Sequence, residues 1–103
     1  MSSLALEPHV VDAVNVLVSD DSIIVNLSDG RTISTPIEWF PRLMHANTEE
    51  RERWEIIGGG EGIRWIALDE DLSVDALMRG TPSQESQESL RKWLEARQAN
   101  PNP

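Results

Sequence analysis

A chain of 103 residues, 39% hydrophobic and 26% charged, has room for one folded domain and too much apolar content for a disordered one. It has no cysteine, which excludes disulfide and thiolate chemistry. Its formal charge of −9 disfavours non-specific contact with phosphates; it suits either simple solubility or a basic protein partner.

The acidity is unevenly placed. Residues 1 to 80 hold 15 acids and 6 bases, and residues 81 to 103 hold 3 of each. No window approaches the roughly 20 apolar residues that span a bilayer. The amino terminus lacks the basic and apolar regions of a signal peptide, so a cytoplasmic protein without membrane contact is expected.

In chain order, residues 1 to 7 read as a loosely held lead-in. His9 to Val18 is rich in β-branched residues and predicts a first strand, with Val10, Val14 and Val16 on one face, interrupted by Asp12. Ser19-Asp20-Asp21 makes a turn, Ser22 to Leu27 a second strand, Ser28-Asp29-Gly30 a tight hairpin, and Arg31 to Thr35 a third strand. An antiparallel meander of three strands follows.

Thr35-Pro36-Ile37-Glu38-Trp39-Phe40-Pro41-Arg42-Leu43 is the densest apolar stretch. Thr35 reads as an N-cap, Pro36 as the first helical residue and Glu38 as a capping-box carboxylate. Pro41 lacks an amide hydrogen, so the first turn should end near Phe40 and a second short helix begin at Pro41. Ile37, Phe40, Leu43 and Met44 fall at helical spacing, which predicts a kinked corner plugging one face of the sheet.

Asn47 reads as the N-cap of a short, solvent-facing helix from Thr48 to Trp54, with Glu50 at its third position. Residues 54 to 57 and 63 to 66 predict a second strand pair around the flexible glycine-rich tip Gly58 to Gly62. Asp69-Glu70-Asp71 reads as an acidic turn. Ser73 caps a helix through Val74, Leu77 and Met78, and Gly80 ends it. Thr81-Pro82-Ser83-Gln84 repeats the start signal, predicting a last helix to about Gln98 with the thin stripe Leu90, Trp93 and Leu94. The expected organisation is a compact α+β domain over 1–80, a helix over 81–98 and a disordered tail over 99–103.

Chemistry-bearing motifs are sparse. The glycine loop lacks the Gly-Lys-Ser/Thr of a phosphate loop and carries Glu61, so a structural turn is the better account. Asp69, Glu70, Asp71 and Asp75 offer oxygen ligands. A helix-loop-helix calcium site, however, needs glycine at its sixth position and glutamate at its twelfth, which here are Val74 and Gly80. His9 and His45 are the only histidines, too few for a triad or a zinc site. No catalytic, cofactor or metal residues are assigned. Of the four tryptophans, 39, 54 and 65 read as core, and Trp93 as an interface anchor.

The string from Thr35 to Leu43, with Glu50-Arg51, Trp54-Glu55, Ile57-Gly58-Gly59-Gly60, Gly62-Ile63, Trp65, Leu68-Asp69-Glu70-Asp71 and Ser73-Val74, resembles the prokaryotic domain of unknown function 2442 over roughly residues 9 to 80. The resemblance implies a small α+β domain and transfers no catalytic residues. It also implies company with a neighbouring small protein in toxin–antitoxin-like gene pairs. Some members carry a helix-turn-helix domain, from which this chain departs, since residues 81 to 103 supply one helix.

The leading expectation is a non-catalytic protein-interaction module, the antitoxin-like or accessory half of a two-gene system. Leu90, Trp93 and Leu94 are its expected partner or dimer contacts, and Glu61, Asp69, Glu70 and Asp71 an acidic edge facing a small basic protein. The rival from another class is a transcriptional regulator, acting as a dimer through Arg91, Lys92 and Arg97 or through a DNA-binding partner; direct nucleic-acid binding is disfavoured. A third, an enzyme using Asp69 to Asp75 or the histidines, would show metal-dependent stabilisation.

Overall fold

Alternation of β-branched and polar residues builds the first half of the protein. In the computed structural model, which describes residues 11–99, the strands β1 (Ala13–Val18), β2 (Ser22–Leu27) and β3 (Thr32–Pro36) form an antiparallel sheet in the order β1-β2-β3. The expected lead-in, the strand start at His9 and Val10, and the tail from residue 100 lie outside the described residues. Ile23, Val25 and Leu27 alternate inward on β2. Strand β1 obeys the same rule only after a correction. The pairing steps from Ala13 opposite Leu27 to Asn15 opposite Asn26, leaving Val14 as an extra residue. This bulge resets the phase. Val11, Ala13 and Val16 are therefore buried, and Val14, read on one face with Val16, is 54% exposed.

The corner is a strand end followed by a kink. Thr35 does not cap a helix: β3 pairs with β2 through Ser22 opposite Pro36, and Thr35 is buried in the sheet. The turn that follows is a 3-10 turn, Ile37–Trp39, without a side-chain cap, so Glu38 has no capping partner there. Helix α1 (Pro41–Met44) then begins at the proline as expected. Ile37, Phe40 and Leu43 enter the core, whereas Met44 is 40% exposed. Helix α2 (Thr48–Glu52) carries the expected capping box: the Glu50 amide donates to Asn47 Oδ1 at 2.7 Å, and the Asn47 amide to Glu50 Oε1 at 3.0 Å. It stops before Trp54, and its Arg51 is buried.

The expected second strand pair is part of a three-stranded sheet, β4 (Glu55–Ile57), β5 (Gly62–Trp65) and β6 (Glu70–Ser73), in the order β4-β5-β6. The acidic turn is thus mostly strand: Asp69, at φ 53°, closes a 3-10 turn over Ile66–Leu68, and Glu70 and Asp71 pair with Trp65 and Arg64. The glycine loop is packed against the first half instead of hanging free. Gly60 is buried at φ 116°, and a Cβ there would run into the Asp12 side chain. Helix α3 (Val74–Arg79) is capped by Ser73, whose Oγ accepts from the Ala76 amide, and ends at left-handed Gly80.

Thr81 does not start the last helix. Its amide donates to the Ala76 carbonyl and that of Ser83 to the Trp39 carbonyl, which anchors residues 81–86 as a strap without helix or strand. Helix α4 (Gln87–Ala99) starts six residues later than its signal, and Ser86 Oγ accepts from the Ser89 amide. Residues of both sheets, the corner and α3 form one apolar core, in which Trp65, Ile23, Leu43, Ile63 and Leu68 are fully buried. Trp39, Trp54 and Trp93 pack half-buried against it.

Candidate functional site

Strand β6 is an edge: it pairs with β5 alone. Successive side chains of a strand point to opposite faces. Leu72 goes to the core and Ser73 to solvent. A cleft of about 490 Å³ runs along this edge and takes lining from all four β6 residues. Phe40, Ile57, Leu72, Ala76 and Pro82 give it apolar walls, and the strap from Thr81 to Gln84 forms its far side. Its charged lining residues are Glu61, Glu70 and Asp71, with no lysine or arginine among them. Size and lining are those of a binding site for an amphipathic ligand.

Glu70 is the unusual group. Its side chain is half-buried, and its carboxylate makes no hydrogen bond with the described residues. Burial pushes its pKa up to about 7; the charges of Glu85, Asp71 and Asp69 add to the rise, and Arg42 opposes it. Asp71, in contrast, is exposed and paired with Arg64 at 3.0 Å. The acidic edge read from the sequence is therefore split. Glu61, Glu70 and Asp71 share the β6 cleft, while Asp69 lines a second hollow with Arg42, Lys92 and Trp93.

Arg42 lines the second hollow and ties α1 to the strap and to the turn before β6. Its Nη1 donates to the Leu68 carbonyl at 3.0 Å, and its Nε and Nη2 grip the Glu85 carboxylate at 2.9 and 2.6 Å. Its guanidinium carbon lies 5.1 Å from the centre of the Trp93 ring. Arg97 stacks on the same ring at 4.6 Å and donates to both oxygens of Glu50. These bonds hold Glu85 and Glu50 below the usual carboxylate range. Cation–π contact and charge-assisted bonds thus dock α4 on the body. Trp93, read as an interface anchor, makes its contacts with Arg42 and Arg97 of its own chain. Leu90 and Leu94 line a shallow groove along α4 with Gln87, Arg91, Glu95 and Gln98.

The basic cluster of α4 is neutralised within the chain. Arg91 pairs with Glu95 at 2.9 Å, Lys92 with Glu88 at 3.6 Å, and Arg97 with Glu50 at 3.0 Å. Among the described residues no three metal-ligating side chains converge, and no described helix is long and apolar enough to cross a membrane.

Sequence reasoning passed over Arg42, Glu85 and Arg51. Arg51 is buried and spans the fold: it donates to the carbonyls of Leu43 and Met44 at 2.9 Å each and to Asp20 at 2.9 Å, and its own carbonyl accepts from Trp65 Nε1 at 3.0 Å. The one available signal is an arginine inside each of the short helices α1 and α2, where a long donor can reach the carbonyls a short helix leaves open.

The sequence profile of a family described as protein of unknown function (DUF2442) matches residues 13–83. A crystal structure of a protein of unknown function from Rhodospirillum rubrum superposes with a TM-score of 0.65 at 30% identity, covering 77% of this chain and 98% of that one. The solution structure of an uncharacterised protein from Chromobacterium violaceum gives a TM-score of 0.61 at 20% identity, covering 79% and 74%; at that identity the likeness concerns the fold alone. No curated protein matches the chain.

Proposed function

The chain belongs to the DUF2442 family, whose function is unknown, and from that premise we propose that it is a non-catalytic protein-interaction module that receives a small basic partner. One observation carries this reading. An apolar cleft of about 490 Å³ is lined by Glu61, Glu70 and Asp71 and by no cation. Such a surface rewards a cationic, partly apolar partner and repels nucleic acid. The net charge of −9 supports the same sign of partner, and the leucine groove of α4 offers a second contact area through Leu90 and Leu94. An antitoxin-like or accessory role in a two-gene system fits this module. The alternative is a regulator acting as a dimer or through a DNA-binding partner. It draws no support from α4, whose bases are each paired with a carboxylate.

The test is capture of the tagged full chain from its own host at low and high salt, with the mass of the eluted complex measured by light scattering. A stoichiometric basic protein that is released by salt is the expected result. Elution of the chain alone, as a monomer or homodimer, at every salt concentration would overturn it.

A further inference from the structure

We infer that the free edge of β6 is a strand-addition site, and that the partner enters the cleft as an extended segment with a lysine or arginine side chain opposite Glu70 and Glu61. This deepens the interaction-module reading and rests on it. Three observations lead there.

The first is geometric. The cleft takes lining from the solvent face of the second sheet at Ile57, Gly62 and Ser73, and from the core face at Glu70 and Leu72. A hollow fed by both faces of a sheet wraps around the edge of its last strand. That edge carries backbone groups that β5 does not use, the standing template for an added strand.

The second observation is the opposite wall. The strap over residues 81–86 is neither helix nor strand and is anchored by bonds to other elements, from Thr81 to Ala76 and from Ser83 to Trp39. Strap and strand form two sides of a slot.

The third is charge. Glu61 and Glu70 have no ion pair within the described residues, and the slot has no basic lining residue. The groups facing Glu70 are Glu85 from the strap, Arg42 from α1, and Asp69 and Asp71 from its own turn and strand. Arg42 is already engaged by Glu85. An incoming cation therefore meets an unsatisfied carboxylate. A second copy of β6 is a poor occupant: antiparallel self-pairing over the whole strand sets Glu70 opposite Ser73 and Asp71 opposite Leu72, so it brings no cation to either carboxylate and adds to the acidity of the slot.

The test uses the nitrogen-15-labelled full chain and three capped pentapeptides: Val-Arg-Val-Arg-Val, its Val-Glu-Val-Glu-Val counterpart, and the arginine peptide with N-methylated valines. Titration is followed by amide shifts at about pH 6 and about pH 8. The arginine peptide is expected to move the amides of Glu70 to Ser73 and of Thr81 to Gln84. It should bind up to about tenfold more tightly at the higher pH, because ionised Glu70 rises from roughly a tenth to nine-tenths of the population. Glu70→Gln should abolish that pH dependence while leaving the spectrum folded, and Glu61→Gln should weaken binding at both pH values.

Equal binding of the glutamate peptide or of the N-methylated peptide would overturn the proposal, as would shifts confined to other elements or no shifts at low-millimolar peptide. Argininamide binding as tightly as the peptide would overturn strand addition in favour of a small-cation site. The broader reading fails separately. If the full chain still captures a basic partner and Glu70→Gln leaves that capture unchanged, the site is wrong and the module stands. If no partner is captured, the module itself falls.

Discussion

The two sheets share a topology and differ in what holds them. Both are three-stranded antiparallel meanders. The first has six-residue leading strands, an inner face of Ala13, Val16, Ile23, Val25, Leu27 and Thr35, and turns closed by local bonds such as those from the Asp21 and Ser22 amides to Ser19 Oγ. The second has strands of three and four residues and carries Glu70 among its inner residues. It is secured from outside: Trp65 bonds to the Arg51 carbonyl, and the Leu68 carbonyl accepts from Arg42. A sheet that closes its own apolar face is a scaffold. A short sheet held by long polar side chains keeps an edge and a charge free for other use.

The sharpest way to break this contrast is at the join. Trp65→Ala removes a fully buried side chain and orphans the Arg51 carbonyl. It should cost about 3–5 kcal/mol in urea denaturation and expose the second sheet to amide exchange first. A loss spread evenly over both sheets would show that they are one cooperative unit. Next comes Arg51→Met, which keeps much of the apolar stem but takes the guanidinium donor from the Met44 carbonyl and from the Leu43 carbonyl, the latter keeping the Ala46 amide. A loss of about 2–4 kcal/mol is expected, read from the same denaturation curves.

A smaller effect is expected from Arg42→Gln, which leaves Glu85 with Ser89 as its only side-chain donor among the described residues and removes one face of the Trp93 sandwich. Stability should fall by about 1.5–3 kcal/mol. Trp93 fluorescence should also shift to the red as α4 loosens; an unchanged spectrum would assign the docking of α4 to Arg97 and Glu50 alone.

The smallest change has the opposite sign. The Glu70 carboxyl is raised from its ordinary 4.5 to about 7, so between those values the folded protein holds a proton that the unfolded chain has released. Its contribution to stability is full below about pH 4.5 and is lost as pH rises through about 7. Glu70→Gln should therefore stabilise the protein at pH 8 by about 1–2 kcal/mol, after allowance for solvent screening of a half-exposed group, and do little at pH 4.5. Melting curves at the two pH values check this. Glu85 runs the other way: its carboxyl is lowered by Arg42, and its contribution is present above the usual carboxylate range and fades as the solution is acidified.

Signals contained within a few residues were legible. The Asn47–Glu50 capping box, the Ser73 cap, the Gly80 stop and the Asp29-Gly30 hairpin are local chemistry, and each stands where the sequence puts it. Two local signals were outvoted. Thr35-Pro36 and Thr81-Pro82 both read as helix starts. Pairing of Ser22 with Pro36 keeps the first in a strand, and the bond from the Thr81 amide to Ala76 ties the second to the end of α3. A cap is worth about 1 kcal/mol, less than a row of sheet pairs and a buried threonine together supply.

The sequence by itself determined the α+β class, one domain's worth of core, the first strand set and two strands of the second, the corner at Pro41 and the excess of acids. These follow from periodicity, local turn chemistry and charge count, which need no partner distant in the chain. Tertiary structure alone decided the bulge that turns Val14 outward, the edge status of β6, the separation of Asp69 from Glu61 and Glu70, and the reach of Arg42 to Glu85 across 43 positions. Each depends on which groups, remote in sequence, desolvate one another, and that is settled only when the two sheets close on a common core.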